Sequence, residues 1–210
     1  MPRSVWIAGI HRSGTSAVAG ICHSLGVDMG PQLGDLGKNP ANPKGQFEDV
    51  QMVRAINAMC GSWRQPSFIE PGMHTLHGAQ SYINERDAEN KLWGLKTPQL
   101  CIVGKYLIKA AKDPVLIVTT RDFEASCKSL AKRDKFPYAC AQVLQAQYWF
   151  GLYDFYAYVT ARLKIPTFSI AYENLLTSPA EYVDRIAKLL GVEPTQAAYD
   201  FIDPSLNHHA

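Results

Sequence analysis

The chain has 210 residues, 47% of them hydrophobic and 19% charged, a composition that excludes a disordered or fibrous protein. This length suffices for one α/β domain with a buried core, and we expect a single domain over residues 1–210. The formal net charge is only +2, and lysine and arginine are spread along the chain, which argues against a basic block that binds nucleic acid or a membrane surface.

The cysteines and the N-terminus indicate a compartment. Five cysteines without CxxC spacing predict free thiols in a reducing environment. The apolar stretch from Val5 to Ile10 is far shorter than the ~20 residues that cross a membrane, so we expect no signal peptide and no membrane span. Together these features predict a cytoplasmic protein.

The first part of the chain alternates between strand and helix patterns. Residues 4–10 form a nearly continuous apolar run, typical of a parallel strand buried on both faces. Apolar side chains at helical spacing predict a helix over Thr15–Leu25, which Gly26 ends. Residues 30–48 are rich in glycine and proline, which predicts a long loop that contacts the substrate. A helix over Val50–Met59 follows.

The middle of the chain has weaker patterns. Residues 50–90 carry little recognisable signal, with an irregular stretch around Pro66–Gly72, and we predict a second substrate or lid loop over residues 64–90. A short strand at Leu92–Leu95 and a helix after Pro98 come next. Residues Val115–Thr120 are strongly β-branched and predict another strand.

The last part continues the alternation. Asp122 is placed to cap a helix carrying Ala125–Arg133. An aromatic-rich helix over Tyr138–Leu163 is expected to pack in the core, and a platform on which an adenine or a sugar stacks is the alternative for its aromatic side chains. A strand at Thr167–Ala171 precedes a helix that Ser178 caps, Pro179 begins and Gly191 ends. The repeated order of strand and helix predicts an α/β fold with a mainly parallel central sheet flanked by helices.

One segment has the pattern of a phosphate-binding loop. The predicted first strand and first helix are joined by Gly9-Ile10-His11-Arg12-Ser13-Gly14-Thr15-Ser16, where backbone N–H groups and the helix dipole favour an anion. Thr15 stands where a nucleoside triphosphatase needs lysine. Arg12 supplies a cation instead, and its guanidinium can bind a phosphosulfate through two hydrogen bonds without magnesium. The segment predicts a three-layer fold of the P-loop type.

The residues from His11 to Ser16 resemble the phosphosulfate loop of sulfotransferases that use 3′-phosphoadenosine 5′-phosphosulfate (PAPS), which reads Pro-Lys-Ser-Gly-Thr-Thr or Arg-Ser-Gly-Thr-Thr. The arginine form is similar to tyrosylprotein sulfotransferases and bacterial carbohydrate sulfotransferases. The resemblance implies PAPS as the donor, 3′-phosphoadenosine 5′-phosphate (PAP) as the product, and no metal. It implies a small-molecule or carbohydrate acceptor with a hydroxyl or an amine, whose identity the sequence leaves open.

Two further segments carry the same resemblance. In that family a strand ends in Arg, a Ser follows eight residues later, and both contact the 3′-phosphate; Arg121 and Ser129 have this spacing. The segment that begins with Tyr172 is similar to the family's Tyr-Glu-Asp-Leu, whose tyrosine lies near the adenine. Cytosolic members have a tryptophan after the loop that stacks on the adenine, but this chain has Ala17 and Val18, which implies that the base is held differently.

Sulfuryl transfer requires a base for the acceptor proton and cations for the charge on sulfate. Cytosolic members use the histidine of a Lys-Thr-His segment, but Pro98 follows Lys96 and Thr97 here. Glu48, in a segment similar to the Gly-Tyr-Phe-Glu-Asp of small bacterial sulfotransferases, is the candidate base. A role at the helix N-terminus is the alternative for Glu48, and Asp49 would then be the next candidate base.

The remaining site residues follow from the same resemblance. Lys96 and Arg12 are expected to stabilise the transferring group, and His11 to contact the phosphosulfate. Whether His208 and His209 reach the cofactor stays open, since a frayed terminus is the simpler interpretation. Two other functions also stay open: a phosphotransferase that uses ATP and magnesium, and a PAP-binding protein without catalysis.

Overall fold

A parallel sheet lies at the centre of the computed structural model, which describes residues 3–30, 44–66, 71–89 and 92–202. The sheet has four strands in the order β2-β1-β3-β4, and every neighbouring pair is parallel. The strands are β1 (Arg3–Ala8), β2 (Leu92–Lys96), β3 (Pro114–Thr120) and β4 (Thr167–Ala171). All four were predicted from the sequence, and the predicted α/β fold with a mainly parallel sheet is confirmed.

Helices connect and cover the strands. They are α1 (Thr15–Ser24), α2 (Val50–Cys60), α3 (Met73–Glu89), α4 (Leu100–Leu107), α5 (Phe123–Asp134), α6 (Tyr138–Ala157), α7 (Tyr172–Thr177), α8 (Pro179–Leu190) and α9 (Gln196–Tyr199). A 3₁₀ turn at Ile108–Ala110 extends α4, and a π-helical segment at Tyr158–Leu163 extends α6. The predicted long helix over Tyr138–Leu163 is therefore helical throughout, but its last six residues are wound more widely.

The sheet separates two hydrophobic cores. On β1, Val5 and Ile7 face the core that includes residues of α1 and α8, whereas Trp6 and Ala8 face the core that includes residues of α4 and α6. This alternation follows from the two-residue period of a strand. Burial on both faces explains why β1 and β3 are almost continuously apolar, whereas only Ile170 is buried in the edge strand β4. The arrangement gives the predicted three layers of helix, sheet and helix.

The residues predicted to cap, begin or end α5 and α8 are confirmed with one exception. Asp122 caps α5, since its Oδ1 accepts a hydrogen bond of 2.8 Å from the N–H of Ala125, as predicted. Ser178 occupies the N-cap position of α8, but its side chain makes no capping hydrogen bond, so that prediction is wrong. Pro179 begins α8, and Gly191 ends it with φ of 70°, both as predicted.

The prediction of a loop over 64–90 is wrong for Met73–Glu89, which forms α3. Two of its buried residues are charged and have partners: Arg86 Nη2 donates to the carbonyl oxygen of Asp28 at 2.9 Å, and Asp87 accepts from Trp93 Nε1 at 2.8 Å. Charged residues at buried positions of α3 interrupt the apolar periodicity that would reveal the helix in the sequence.

The predicted long loop over 30–48 is described only in part. Residue Gly30 and residues 44–49 form neither helix nor strand. Residues 31–43 lie outside the described residues, as do 67–70 and the C-terminal segment with His208 and His209.

The aromatic side chains of α6 are not all core residues. Tyr148 and Phe155 are fully buried, as predicted, whereas Trp149 is 41% exposed and Phe150 is 74% exposed. The prediction that the whole aromatic set packs in the core is therefore wrong for its outer members.

Within the described parts of the chain, we find no helix that combines the length and the apolarity needed to cross a membrane.

Candidate active site

The predicted site residues converge on one edge of the sheet. Strand β1 lies between β2 and β3, and all three strands are parallel, so their carboxyl ends meet at the same edge. The loop over residues 9–16 follows β1, Lys96 ends β2, and Arg121 comes directly after β3. In open α/β sheets this edge forms the crevice in which ligands bind.

The loop is shaped by glycine and a buried hydroxyl. Ser13 Oγ lies 2.8 Å from the carbonyl oxygen of Ile10 and 2.8 Å from Thr119 Oγ1 on β3. A side chain at Gly9 would clash with both hydroxyls, and one at Gly14 would clash with the ring of Tyr172. Gly14 also has a left-handed φ of 90°, which glycine adopts readily.

The first turn of α1 is open toward this loop. Gly14 occupies the N-cap position, and no side-chain cap hydrogen bond is made there. The backbone N–H groups at the beginning of a helix have no partner within the helix and carry the positive end of its dipole. The turn that begins at Thr15 therefore provides donors suited to a phosphate or sulfate.

The predicted cofactor residues contact one another. Arg12 Nε donates to Ser129 Oγ at 2.9 Å, and Arg121 Nη1 donates to the carbonyl oxygen of Arg12 at 3.0 Å. The guanidinium carbon of Arg121 lies 4.8 Å from the centre of the Tyr172 ring. Arg12, Arg121, Ser129 and Tyr172 come from four separate elements or loops, so the tertiary fold brings them together.

Arg133 joins this cluster and was not identified from the sequence. Burial, together with the nearby positive charges of Arg133 and Arg121, lowers the pKa of Arg12 to about 10. Arg133 itself donates two hydrogen bonds to Asp134 Oδ2, from Nη2 at 2.6 Å and from Nε at 2.9 Å. A bound anion would relieve the repulsion among three guanidinium groups. The position of Arg133, one helical turn after Ser129, is a signal that could have revealed it.

A buried ion pair lies beside the loop. Lys96 Nζ lies 2.6 Å from Glu48 Oε1, and only 3% of the lysine side chain and 12% of the glutamate side chain are exposed. Lys96 is held by its place at the end of β2, and Glu48 lies just before α2. The pair places a carboxylate, which can accept a proton, next to a cation. Sulfuryl transfer requires both kinds of group.

The neighbouring carboxylate, Asp49, has a different environment. Its Oδ1 accepts from the N–H groups of Gln51 at 2.8 Å and Met52 at 3.4 Å, and its Oδ2 accepts from the hydroxyl of Tyr82. Asp49 is therefore the N-cap of α2, and Glu48 makes no such capping bond. Of the two carboxylates considered from the sequence, Glu48 is the one that contacts Lys96.

His11 has surroundings that the sequence did not indicate. Gln145 Nε2 donates to its carbonyl oxygen at 2.7 Å, and its ring centre lies 4.5 Å from that of Tyr148 and 5.0 Å from that of Trp63. Its Nε2 is buried without a hydrogen-bond partner among the described residues. These partners lie more than 50 residues away in the chain, and no short motif links them.

The buried state of His11 predicts a pH-dependent stability. Burial, reinforced by Arg133, Lys96 and Arg12, lowers the pKa of His11 well below its usual value. In the unfolded chain the His11 imidazole takes up a proton as pH falls below ~6.5, but in the folded protein it stays neutral there. The folded state therefore loses stability as pH falls below ~6.5, and this group does not change the stability above that pH. His11→Gln should reduce the slope of the free energy of unfolding against pH by up to ~1.4 kcal/mol per pH unit in this range. Denaturant unfolding of both proteins between pH 5 and 7.5 tests this expectation, and parallel curves would contradict it.

Solved structures of bacterial sulfotransferases resemble the chain. Sulfotransferase STF1 from Mycobacterium tuberculosis H37Rv is 14% identical with a TM-score of 0.57, over 100% of this chain and 72% of that one. STF9 from Mycobacterium avium is 15% identical with a TM-score of 0.62, over 99% and 68%. The sulfotransferase domain of the Synechococcus PCC 7002 olefin synthase is 17% identical with a TM-score of 0.62, over 99% and 87%.

No protein-family model and no curated protein matches the sequence. The likeness to solved structures, at these identities, establishes the fold. The chain has the fold of these sulfotransferases. The resemblance drawn from its motifs is therefore confirmed as a likeness of fold.

Proposed function

We propose that this protein, which has the fold of the sulfotransferases, transfers a sulfuryl group from PAPS to a hydroxyl or amine acceptor. The observation that carries the proposal is the meeting, at one sheet edge, of an arginine-lined loop and the buried pair of Glu48 and Lys96. The first supplies an anion site, and the second supplies a base with an adjacent cation.

The donor lies along the loop in this proposal. The 5′-phosphosulfate accepts hydrogen bonds from the backbone of residues 13–16 and from Arg12, with His11 beside it. The 3′-phosphate is bound by Arg121 and Ser129, and Tyr172 lies against the adenine. The contact of Arg12 with Ser129 supports one continuous anion site, because it joins the residues assigned to the two ends of the cofactor.

The reaction needs a base for the acceptor proton and cations for the charge that develops on the leaving phosphate. Glu48 takes the proton from the acceptor hydroxyl or amine as that atom bonds to sulfur, and the bond from sulfur to the bridging oxygen of PAPS breaks. The electron pair of this bond stays on the phosphate of PAP, where Lys96 and Arg12 stabilise the charge. The products are the sulfated acceptor and PAP. No metal takes part in any of these steps.

The acceptor in this proposal is a small molecule or a carbohydrate, and the reaction takes place in the cytoplasm. The compartment is supported by the five cysteines, which are all free.

PAP should raise the melting temperature without magnesium, since a ligand that binds only the folded state stabilises it. At a PAP concentration about 100 times Kd the gain is ~2.7 kcal/mol. For a chain of this length that corresponds to roughly 5–10 °C. Thermal unfolding with excess EDTA measures the shift, and ATP with magnesium is the comparison. An unchanged melting temperature at millimolar PAP, or a shift only with ATP and magnesium, would contradict the donor assignment.

Transfer itself is tested with radiolabelled PAPS and a panel of sugars, alcohols, phenols and amines. Appearance of label in an acceptor, together with PAP release, would support the proposed function. PAP binding without transfer to any member of a broad panel would instead favour a non-catalytic binding protein.

A further inference from the structure

Helix α6 exposes an aromatic face to solvent. Phe150 is 74% exposed, Tyr153 71%, Trp149 41% and Tyr156 37%, and Val143 at the other end is 62% exposed. Their spacing of three, four and seven residues brings them to one side of the helix, over a length of about 20 Å. We call these five residues the α6 face.

The composition of the helix makes this exposure unusual. Asp154 is the only charged residue in the 20 residues of α6, and the opposite side, with Tyr148 and Phe155, is buried in the core. The solvent-facing side of a helix normally carries polar or charged side chains. The α6 face leaves on the order of 500 Å² open, which is in the size range of the largest apolar patch on a typical monomer, and such patches are often functional.

Cations line one edge of the α6 face. Phe150, Asp154 and Tyr158 form one row at four-residue spacing. Beside this row, Lys105 Nζ lies 2.5 Å from Asp154 Oδ2, and Lys109 Nζ lies 5.3 Å from the centre of the Tyr158 ring. The exposed Arg162 follows Tyr158 in the π-helical segment that extends α6.

A fourth cation lies at the other end of the α6 face. A surface groove of about 560 Å³ separates the segment 64–66 from α6, and Arg64 and Val143 both line it. Positive charge therefore borders the apolar surface at both ends, although the chain as a whole is nearly neutral.

We propose that the α6 face binds an anionic lipid surface. Tryptophan, tyrosine and phenylalanine side chains lie at the boundary between headgroups and acyl chains, while lysine and arginine beside them contact lipid phosphates. The helix then lies flat on the surface and does not cross it. The charge count of the whole chain argued against binding to a membrane surface. Such a count does not register aromatic residues that the fold brings together.

The charges favour this partner over a second copy of the chain. Two copies joined through the α6 face would bring the cations that border it together. Asp154 is the only acidic residue of α6, and it is already paired with Lys105. An anionic surface neutralises Lys109, Arg162 and Arg64, at about 1 kcal/mol for each lysine or arginine near it.

Vesicle binding tests the proposal without any need for turnover. The purified chain is sedimented with vesicles of phosphatidylcholine, and with vesicles of equal parts phosphatidylcholine and phosphatidylglycerol. We expect binding to the anionic vesicles only, weakened by added salt. The double variant Phe150→Ser with Tyr153→Ser should bind at least about tenfold more weakly, because two apolar rings no longer enter the surface. Lys109→Gln should weaken binding about fivefold.

A matched variant separates this loss from unfolding. Phe150→Leu with Tyr153→Phe keeps the apolar surface and should bind like the parent chain, and melting temperatures show whether all variants are folded. The proposal is overturned if the parent chain does not bind anionic vesicles, or if the serine variant binds as well as the parent. It is also overturned if light scattering finds a dimer that the serine variant loses, since a second copy would then cover the α6 face.

Discussion

Replacing Glu48 by glutamine is expected to lower kcat by ~10²–10⁴, the range typical for loss of a general base, and to leave PAP affinity nearly constant. Glutamine keeps the shape of the side chain but cannot take the acceptor proton. Its oxygen can still accept a hydrogen bond from Lys96, so we expect the free energy of unfolding to fall by only about 1–3 kcal/mol. Steady-state turnover, PAP titration and thermal unfolding of the one variant measure all three quantities.

Asp49→Asn is the matched control for this experiment. It removes the same charge from the adjacent residue, and asparagine caps helices about as well as aspartate, so α2 should stay intact. Turnover near that of the parent chain is expected, because Asp49 is held by the first turn of α2 and by Tyr82. Normal turnover in Glu48→Gln would contradict the assignment of the base. If Asp49→Asn alone were inactive, the role would pass to Asp49.

Arg121→Ala is expected to weaken PAP binding by roughly 10–100-fold, the loss that corresponds to one hydrogen bond to a charged group. The effect on adenosine 5′-phosphosulfate, which lacks the 3′-phosphate, should be much smaller. Some loss for both ligands is expected, because Arg121 also supports the loop through the Arg12 carbonyl and packs on Tyr172.

Calorimetric titration of both ligands separates these two contributions. The loss for adenosine 5′-phosphosulfate measures the support of the loop, and the additional loss for PAP measures the contact with the 3′-phosphate. Equal losses for the two ligands would remove Arg121 from the 3′-phosphate site.

Local patterns were sufficient to predict most of the fold. Strand β3 is β-branched and bounded by proline and Arg121, and α5 has a clear cap at Asp122, so both were found with small errors at their ends. Helix α3 was missed because buried Arg86 and Asp87 occupy positions where the helical pattern needs apolar residues. Their partners are Asp28, which follows α1, and Trp93 on β2, and the pairing with Asp28 joins residues too far apart for a local window.

The candidate site was predictable as a set of residues but not as a set of contacts. The loop and Lys96 follow predicted strands, and the topology of parallel strands brings such ends together. That Glu48 pairs with Lys96 while Asp49 caps α2 depends on the path of the chain into α2, which no periodicity describes. The same holds for Trp63, which meets His11 only through tertiary packing.

The contact between Ser13 and Thr119 has a consequence for the entropy of ligand binding. Fixing the backbone of one residue requires about 1–2 kcal/mol, and a loop that becomes ordered only around its ligand loses that much affinity for each residue. Here Ser13 is bound to Ile10 and to β3 within the folded chain, so the loop is ordered during folding and not during binding. Thr119, a strand residue, thereby influences the affinity of an anion that it need not touch.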